Sequence, residues 1–193
     1  MPEPLPVHGV VVLAAGASTR LGRPKQLLMH RGETLVHRAA RLALTTRPRD
    51  AAIVLGHGAE SVFSQVEKLP IRRVDCADWQ AGMGASLRAG LASLAADCSG
   101  VLIVLCDQPA LDEAHLASLC AAWRSDPARG AASFYAGRLG APALLPRAWF
   151  TNVAIADRGA RDMLDVWRDR IGAIANEPLA FDVDKIDDLR HLT

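Results

Sequence analysis

Short apolar runs that end at turn residues alternate along this chain with segments whose apolar residues recur at helical spacing. Val10–Ala14, Ala51–Leu55 and Val101–Cys106 carry no polar alternation, the pattern of strands covered on both faces. They predict central parallel strands. Leu87, Leu91 and Leu94 form one helical stripe, and Leu116, Leu119, Cys120 and Trp123 fall at i, i+3, i+4 and i+7 to form another. The same spacing at Ala160, Met163, Leu164 and Trp167 predicts a further helix. A last helix is expected to start near Lys185, with Ile186 and Leu189 turned inward. The runs "AASFY" and "APALL" flank the turn "AGRLG" and predict an antiparallel hairpin. Strand followed by helix, repeated, implies an α/β fold with a largely parallel sheet, whose ligands meet the carboxyl ends of the strands.

Composition narrows this frame. A chain of 193 residues, half of them hydrophobic, suits one domain spanning 1–193, and no repeat, linker or low-complexity segment interrupts it. With 22 basic and 21 acidic residues the formal charge is +1, too little to attract nucleic acid or an anionic membrane. Any anion must be captured locally. Cys76, Cys98, Cys106 and Cys120 form no C-x-x-C pair and read as reduced core thiols. The first residues lack the pattern of a secretory signal, and no apolar run approaches the ~20 residues of a membrane span. A cytoplasmic protein is expected. The histidines, His57 and His115 among them, show no paired metal-ligand spacing and read as loop or helix-surface residues.

The first strand runs into Gly16-Ala17-Ser18-Thr19-Arg20-Leu21-Gly22-Arg23-Pro24-Lys25. Glycines bring backbone N–H groups close to an oxygen-rich ligand, and Arg20, Arg23 and Lys25 add positive charge, a chemistry suited to polyphosphate. A plain strand-to-helix turn with solvated cations has the same composition. Neither Walker A nor G-x-G-x-x-G is present. Asp107 closes a strand ahead of Gln108 and Pro109, where it can be a ligand-site carboxylate or a turn former. Asp182 and Asp184 share one face of an extended run. Asp184 could also cap the helix at Lys185, with Asp187 three residues on. Gly82, Met83, Gly84 and Ser86 precede a helix and form either a tight turn or an anion-binding N-terminus.

"LAAGASTRLGRPKQLL" resembles the signature L-A-x-G-x-x-x-R-x-G-x-x-K of nucleotidyltransferases with a nucleotide-diphospho-sugar transferase fold, met at Leu13, Ala14, Gly16, Arg20, Gly22 and Lys25. "WQAGMGASLRAGL", "CDQPAL", "GRLGAPALLP", "DRGARDML" and "FDVDKIDDL" follow in the order of the molybdenum cofactor cytidylyltransferase group, within the molybdopterin-guanine-dinucleotide-synthase-like family. The resemblance implies a three-layer α/β/α Rossmann-like fold, mostly parallel with an antiparallel element. It implies transfer of CMP from CTP to the terminal phosphate of molybdopterin, with Mg²⁺ as cofactor, pyrophosphate as the other product and a molybdenum hydroxylase as recipient. Leu-Ala-Ala-Gly at 13–16 is the form associated with CTP, Leu-Ala-Gly-Gly the form associated with GTP. The implied catalytic residues are Arg20, Lys25 and Asp107, with Asp107 and Asp184 as metal ligands. Leu13, Ala14, Ala15, Gly16, Arg20, Lys25, Gly82, Gly84 and Ser86 would surround the nucleotide, and Gly140, Pro142 and Arg161 the acceptor. Asp157 belongs to the Arg161 motif. Two positions depart from the group: Cys106 stands where glycine is common, and Ala141 where histidine is frequent. The rival expectations are a related enzyme using GTP or a sugar or methylerythritol phosphate acceptor, and a non-catalytic cofactor-binding module.

Overall fold

A computed structural model describes residues 6–152 and 159–192, so Asp157 lies outside the described residues. In chain order the strands are β1 (His8–Leu13), β2 (Met29–His30), β3 (Glu33–Thr34), β4 (Asp50–Leu55), β5 (Arg72–Asp75), β6 (Gly100–Leu105), β7 (Gly130–Tyr135), β8 (Arg138–Pro146) and β9 (Ile171–Ala175). The helices are α1 (Leu35–Thr45), α2 (Ala59–Phe63), α3 (Met83–Ser93), α4 (Glu113–Ser125), α5 (Trp149–Asn152) and α6 (Ala160–Val166). Seven strands form one sheet in the order β5-β4-β1-β6-β8-β7-β9, and β2 and β3 pair separately. From β5 to β6 the pairing is parallel. β8 runs antiparallel to both β6 and β7, and β9 is parallel to β7. The expected hairpin is therefore β7–β8.

Alternation along β1 explains the layers. Val10 and Val12 join the core with Ala39, Ala40 and Leu116 on the face of α1 and α4. Val11 and Leu13 join Leu87, Leu91, Met163 and Leu164 on the face of α3 and α6. Both faces are covered, so the strand is a continuous aliphatic run. All four cysteines are free and buried, as expected. Helix starts are set by local capping: Thr34 Oγ1 accepts from His37 N–H at 3.4 Å for α1, and the Asp112 carboxylate accepts from His115 N–H at 2.8 Å for α4.

Three expectations need correction. Ile186 is 67% exposed rather than inward-facing, because 186–191 is a short 3₁₀ segment whose apolar side is taken by Leu189 against Leu21, Leu28, Leu35 and Val183. Three of the histidines are not loop or helix-surface residues: His8 and His30 are buried on β1 and β2, and His115 lies in the core, 2.8 Å from the Ser133 hydroxyl, on the sheet-facing side of α4. Asp184 does not cap the last segment; Asp188, not Asp187, accepts from the N–H groups of Asp184 at 2.9 Å and Lys185 at 2.7 Å.

Candidate active site

β1 and β6 are neighbours with Leu13 opposite Leu105, so the segments leaving their carboxyl ends emerge side by side. The β1 segment is a self-braced loop. Ala14 N–H donates to Val54 C=O at 2.9 Å, and Ala15 C=O accepts from His57 N–H at 3.1 Å. Gln26, 1% exposed, donates its amide to Ala14 C=O at 2.9 Å and Gly16 C=O at 2.7 Å. Ser18 takes a positive φ of 54°. Its carbonyl accepts from Leu21 N–H and Gly22 N–H, and its hydroxyl accepts from Lys25 N–H at 3.1 Å. The hydroxyl is a loop brace. These bonds fold Lys25 back against the end of β6.

There the Lys25 ammonium lies 2.5 Å from Asp107 and 3.0 Å from Asp184, while the Arg20 guanidinium lies 2.6 Å from the other oxygen of Asp184. The third chain segment is held by Val183 N–H donating to Asp107 C=O at 3.0 Å. Phe181 and Val183 turn into the small apolar cluster, which leaves Asp182 and Asp184 on the opposite side of the extended chain. Oxygens of Asp107, Asp182 and Asp184 thereby come within 4.8 Å of one another. Burial opposes the charge on Lys25, but the Asp107 charge and the hydrogen bonds to Asp107 and Asp184 win and hold its pKa above the ordinary value. Asp182 is pushed up by desolvation and then by Asp107 and Asp184. Like charges at this spacing call for a cation. One oxygen of Asp107 is buried without a hydrogen-bond partner, so the donor set fits a hard divalent ion better than it fits Lys25 alone.

Two cavities flank this cluster. The first, of about 300 Å³, is lined by Leu13, Ala14, Ala15, Gly16, Lys25, Gly82, Ser86 and Asp107, with Gln26, Trp79, Gln80, Met83, Leu105 and Cys106. Gly84 is buried in the first turn of α3 and does not line it. Gly82, at φ 101°, turns the chain into that helix. Arg20 lies beside the cavity, lining a smaller hollow with Gly16, Ser18, Thr19, Lys25 and Asp184. The second cavity, of about 230 Å³, includes Gly140, Ala141 and Arg161 and shares Met83 and Leu105 with the first. Pro142 does not line it: its ring is buried and its carbonyl accepts from the Ser133 hydroxyl at 2.8 Å. Gly159, at φ 61°, permits the close approach of Met83 between the cavities. Cys106 is not a nucleophile. Burial, then the Asp107 charge, pushes its thiol up to about 12.

Sequence reasoning missed Gln26 and Gln108. The Gln108 amide nitrogen, buried, lies 3.0 Å from Ala141 C=O, 3.1 Å from Leu179 C=O and 3.2 Å from the Tyr135 hydroxyl. It joins the end of β6 to β8 and to the segment leading to Asp182. A glutamine beside leucines in "KQLL" was the available sign for Gln26, since a buried amide needs partners; Gln108 has a comparable sign next to Asp107.

The sequence profile of the family described as MobA-like NTP transferase domain matches residues 10–172. A protein of Paenarthrobacter nicotinovorans named nicotine blue oxidoreductase is 34% identical over 201 residues, covering 97% of each chain. The crystal structure of Rv0371c from Mycobacterium tuberculosis H37Rv aligns with a TM-score of 0.81 and 28% identity over 97% of this chain and 98% of that one. A second structure of Rv0371c, in complex with manganese, aligns with a TM-score of 0.77 and 28% identity over 96% and 97%.

Proposed function

Because the chain belongs to the MobA-like NTP transferase domain family and shares its fold with a nucleotidyl transferase, we propose that it transfers CMP from CTP to the terminal phosphate of molybdopterin. The observation that carries this reading is the meeting of Lys25, Asp107 and Asp184 beside the 300 Å³ cavity. A cation for phosphate oxygens and carboxylates for a divalent ion stand at one point.

Asp107 and Asp184 would hold Mg²⁺. Bound there, the ion neutralises charge on the triphosphate. The manganese complex of Rv0371c supports divalent chemistry in a relative. With that charge on the carboxylates satisfied, the Lys25 ammonium and the Arg20 guanidinium face the phosphates. Leu13, Ala14, Ala15 and Gly16, with Gly82 and Ser86, enclose the nucleoside side. Gly84 supports that turn from within α3. Arg161 serves the acceptor phosphate in the second cavity, backed by Gly140 and Ala141. An acceptor phosphate oxygen forms the new bond to the α-phosphorus. The bond from that phosphorus to the bridging oxygen breaks, and pyrophosphate leaves with the electron pair. Positioning and charge neutralisation supply the rate. No covalent enzyme intermediate is needed, since Ser18 braces the loop and Cys106 stays protonated. The Leu-Ala-Ala-Gly run supports cytosine, and buried free thiols support a cytoplasmic setting, with a molybdenum hydroxylase receiving the product.

A second reading rests on the relative named nicotine blue oxidoreductase: a redox step on a compound of that kind, with a nicotinamide as the reductant tested. One set of assays separates the two. Pyrophosphate release is followed with molybdopterin, Mg²⁺ and CTP, GTP, ATP or UTP in separate reactions, beside oxidation of NADH or NADPH with a dye. Release at least about tenfold faster with CTP supports the proposal, since that ratio is about 1.4 kcal/mol of discrimination. Nicotinamide oxidation without pyrophosphate release overturns it.

A further inference from the structure

A third cavity shares no lining residue with the first two. It has a volume of about 240 Å³ and is lined by His30, Arg31, Pro109, Ala110, Phe181 and His191. Its walls continue the three segments that build the candidate active site. His30 and Arg31 follow the Lys25 loop, Pro109 and Ala110 follow Asp107, and Phe181 precedes Asp182. None of the lining residues is acidic. Arg31 is exposed, at φ 51°, with no carboxylate partner among the described residues. His30 is 5% exposed and its Nδ1 is buried without a hydrogen-bond partner, a cost to the fold unless a ligand group meets it. The nearest carboxylate in sequence, Glu33, is already taken by Arg41 at 2.6 Å and by Arg38 and His37. Opposite stands an apolar wall. The Phe181 ring meets the His191 ring edge-on, with centroids 5.3 Å apart, beside Pro109 and Ala110.

We infer that this cavity is a binding site for a small anion carried on a planar ring, separate from the nucleotide and acceptor cavities. Arg31 supplies a planar fork for a phosphate or carboxylate, and the Phe181 and His191 rings supply faces for the ligand's ring. The volume, just below the roughly 300 Å³ at which drug-sized pockets begin, suits a small ligand or the anionic end of a larger one. Burial, then the charges of Arg38 and Arg31, pulls the His30 imidazole below its ordinary value. The neutral ring then has an N–H and a lone pair to offer.

The test uses phenyl phosphate as probe and the histidine ring resonances of the full chain as readout, assigned with His30→Gln and His191→Ala. It reads binding and not turnover, so its failure is distinguishable from failure of the transferase reading. Saturable shifts of His30 and His191, weakened at least about tenfold in Arg31→Ala and unchanged in Arg20→Ala, support the site. Three results overturn it: no saturable shift, shifts indifferent to Arg31→Ala, or shifts abolished by Arg20→Ala, which would place the probe in the triphosphate loop. Equal affinity for inorganic phosphate overturns the role given to the apolar wall.

Discussion

The two halves of the sheet differ in how their sites are made. On the parallel side, β5-β4-β1-β6, the first cavity takes the largest share of its lining from one loop, residues 13–26, braced by its own backbone and by Gln26, and the rest from segments 79–86 and 105–107. Toward the antiparallel side, the second cavity is assembled from short pieces of several elements, Ile103 and Leu105 on β6, Tyr135 on β7, residues 139–141 on β8 and residues of α6 among them. The first half can hold the shared chemistry of a family while the second changes its acceptor, because one scaffold hosts many chemistries. Ala141, in place of a frequent histidine, falls in the second half.

Four experiments break or sharpen this contrast. The largest effect is expected from Asp107→Ala, which removes a carboxylate and leaves Lys25 without its 2.5 Å partner. Turnover measured by pyrophosphate release should fall by about 10²–10³, the scale of losing one electrostatic contact to developing charge, and retained activity would remove Asp107 from the chemistry. Next, Gln26→Ala leaves the buried Ala14 carbonyl unpaired, at about 1–3 kcal/mol, and releases the carbonyl of the exposed Gly16. Urea denaturation should show the loss, and CTP, which is expected to raise the melting temperature of the parent chain, should no longer raise it in the variant. A change in stability alone would detach the loop brace from nucleotide binding.

On the other side, Arg161→Ala should raise the KM for the acceptor roughly tenfold while leaving the KM for CTP nearly unchanged, in keeping with one charge-assisted contact. Equal changes in both would erase the division of labour between the halves. The smallest effect concerns acid stability around β1 and β3. Burial, then the Arg124 charge, lowers His8 to about 4, and hydrogen bonds led by Arg41 lower Glu33 to about 2. Both groups are depressed relative to the unfolded chain, which binds more protons in acid, so both contribute stability that is lost as pH falls. For His8 the loss runs from about 6.5 to about 4, and for Glu33 from about 4.5 to about 2. Melting temperatures recorded from neutral pH downward should decline through both windows. His8→Gln should flatten the upper one, and an unchanged slope there would remove His8 as its source.

The same division governs what was legible from sequence. β1, β4 and β6 were visible because strands covered on both faces are uninterrupted aliphatic runs, and the loop after β1 was visible because its contacts are local. β5, with the sequence Arg-Arg-Val-Asp, sits at a solvent-facing edge, and β9, Ile-Gly-Ala-Ile-Ala, has little β propensity of its own. Neither announces itself, since pairing with a neighbour forms it. α1 escaped for another reason: its buried face is largely alanine and its start depends on Thr34. At the site, Lys25, Asp107 and Asp184 were legible as residue types, whereas their meeting depends on Val183 crossing to Asp107 and on Asp188 taking over the cap. Those are tertiary facts. Gly84 and Pro142 each sit within a matching motif without lining the cavity beside it, for the same reason.

The most direct test of the central claim, that the carboxylates beside Lys25 hold a divalent ion against a nucleotide's phosphates, is a crystal structure of the protein with CTP and Mn²⁺, with the ion located by its anomalous signal. The expected result is manganese on Asp107 and Asp184, with the triphosphate along the 16–25 loop and the base in the first cavity. Nucleotide bound there with no ion on those carboxylates, or manganese bound elsewhere, would contradict it.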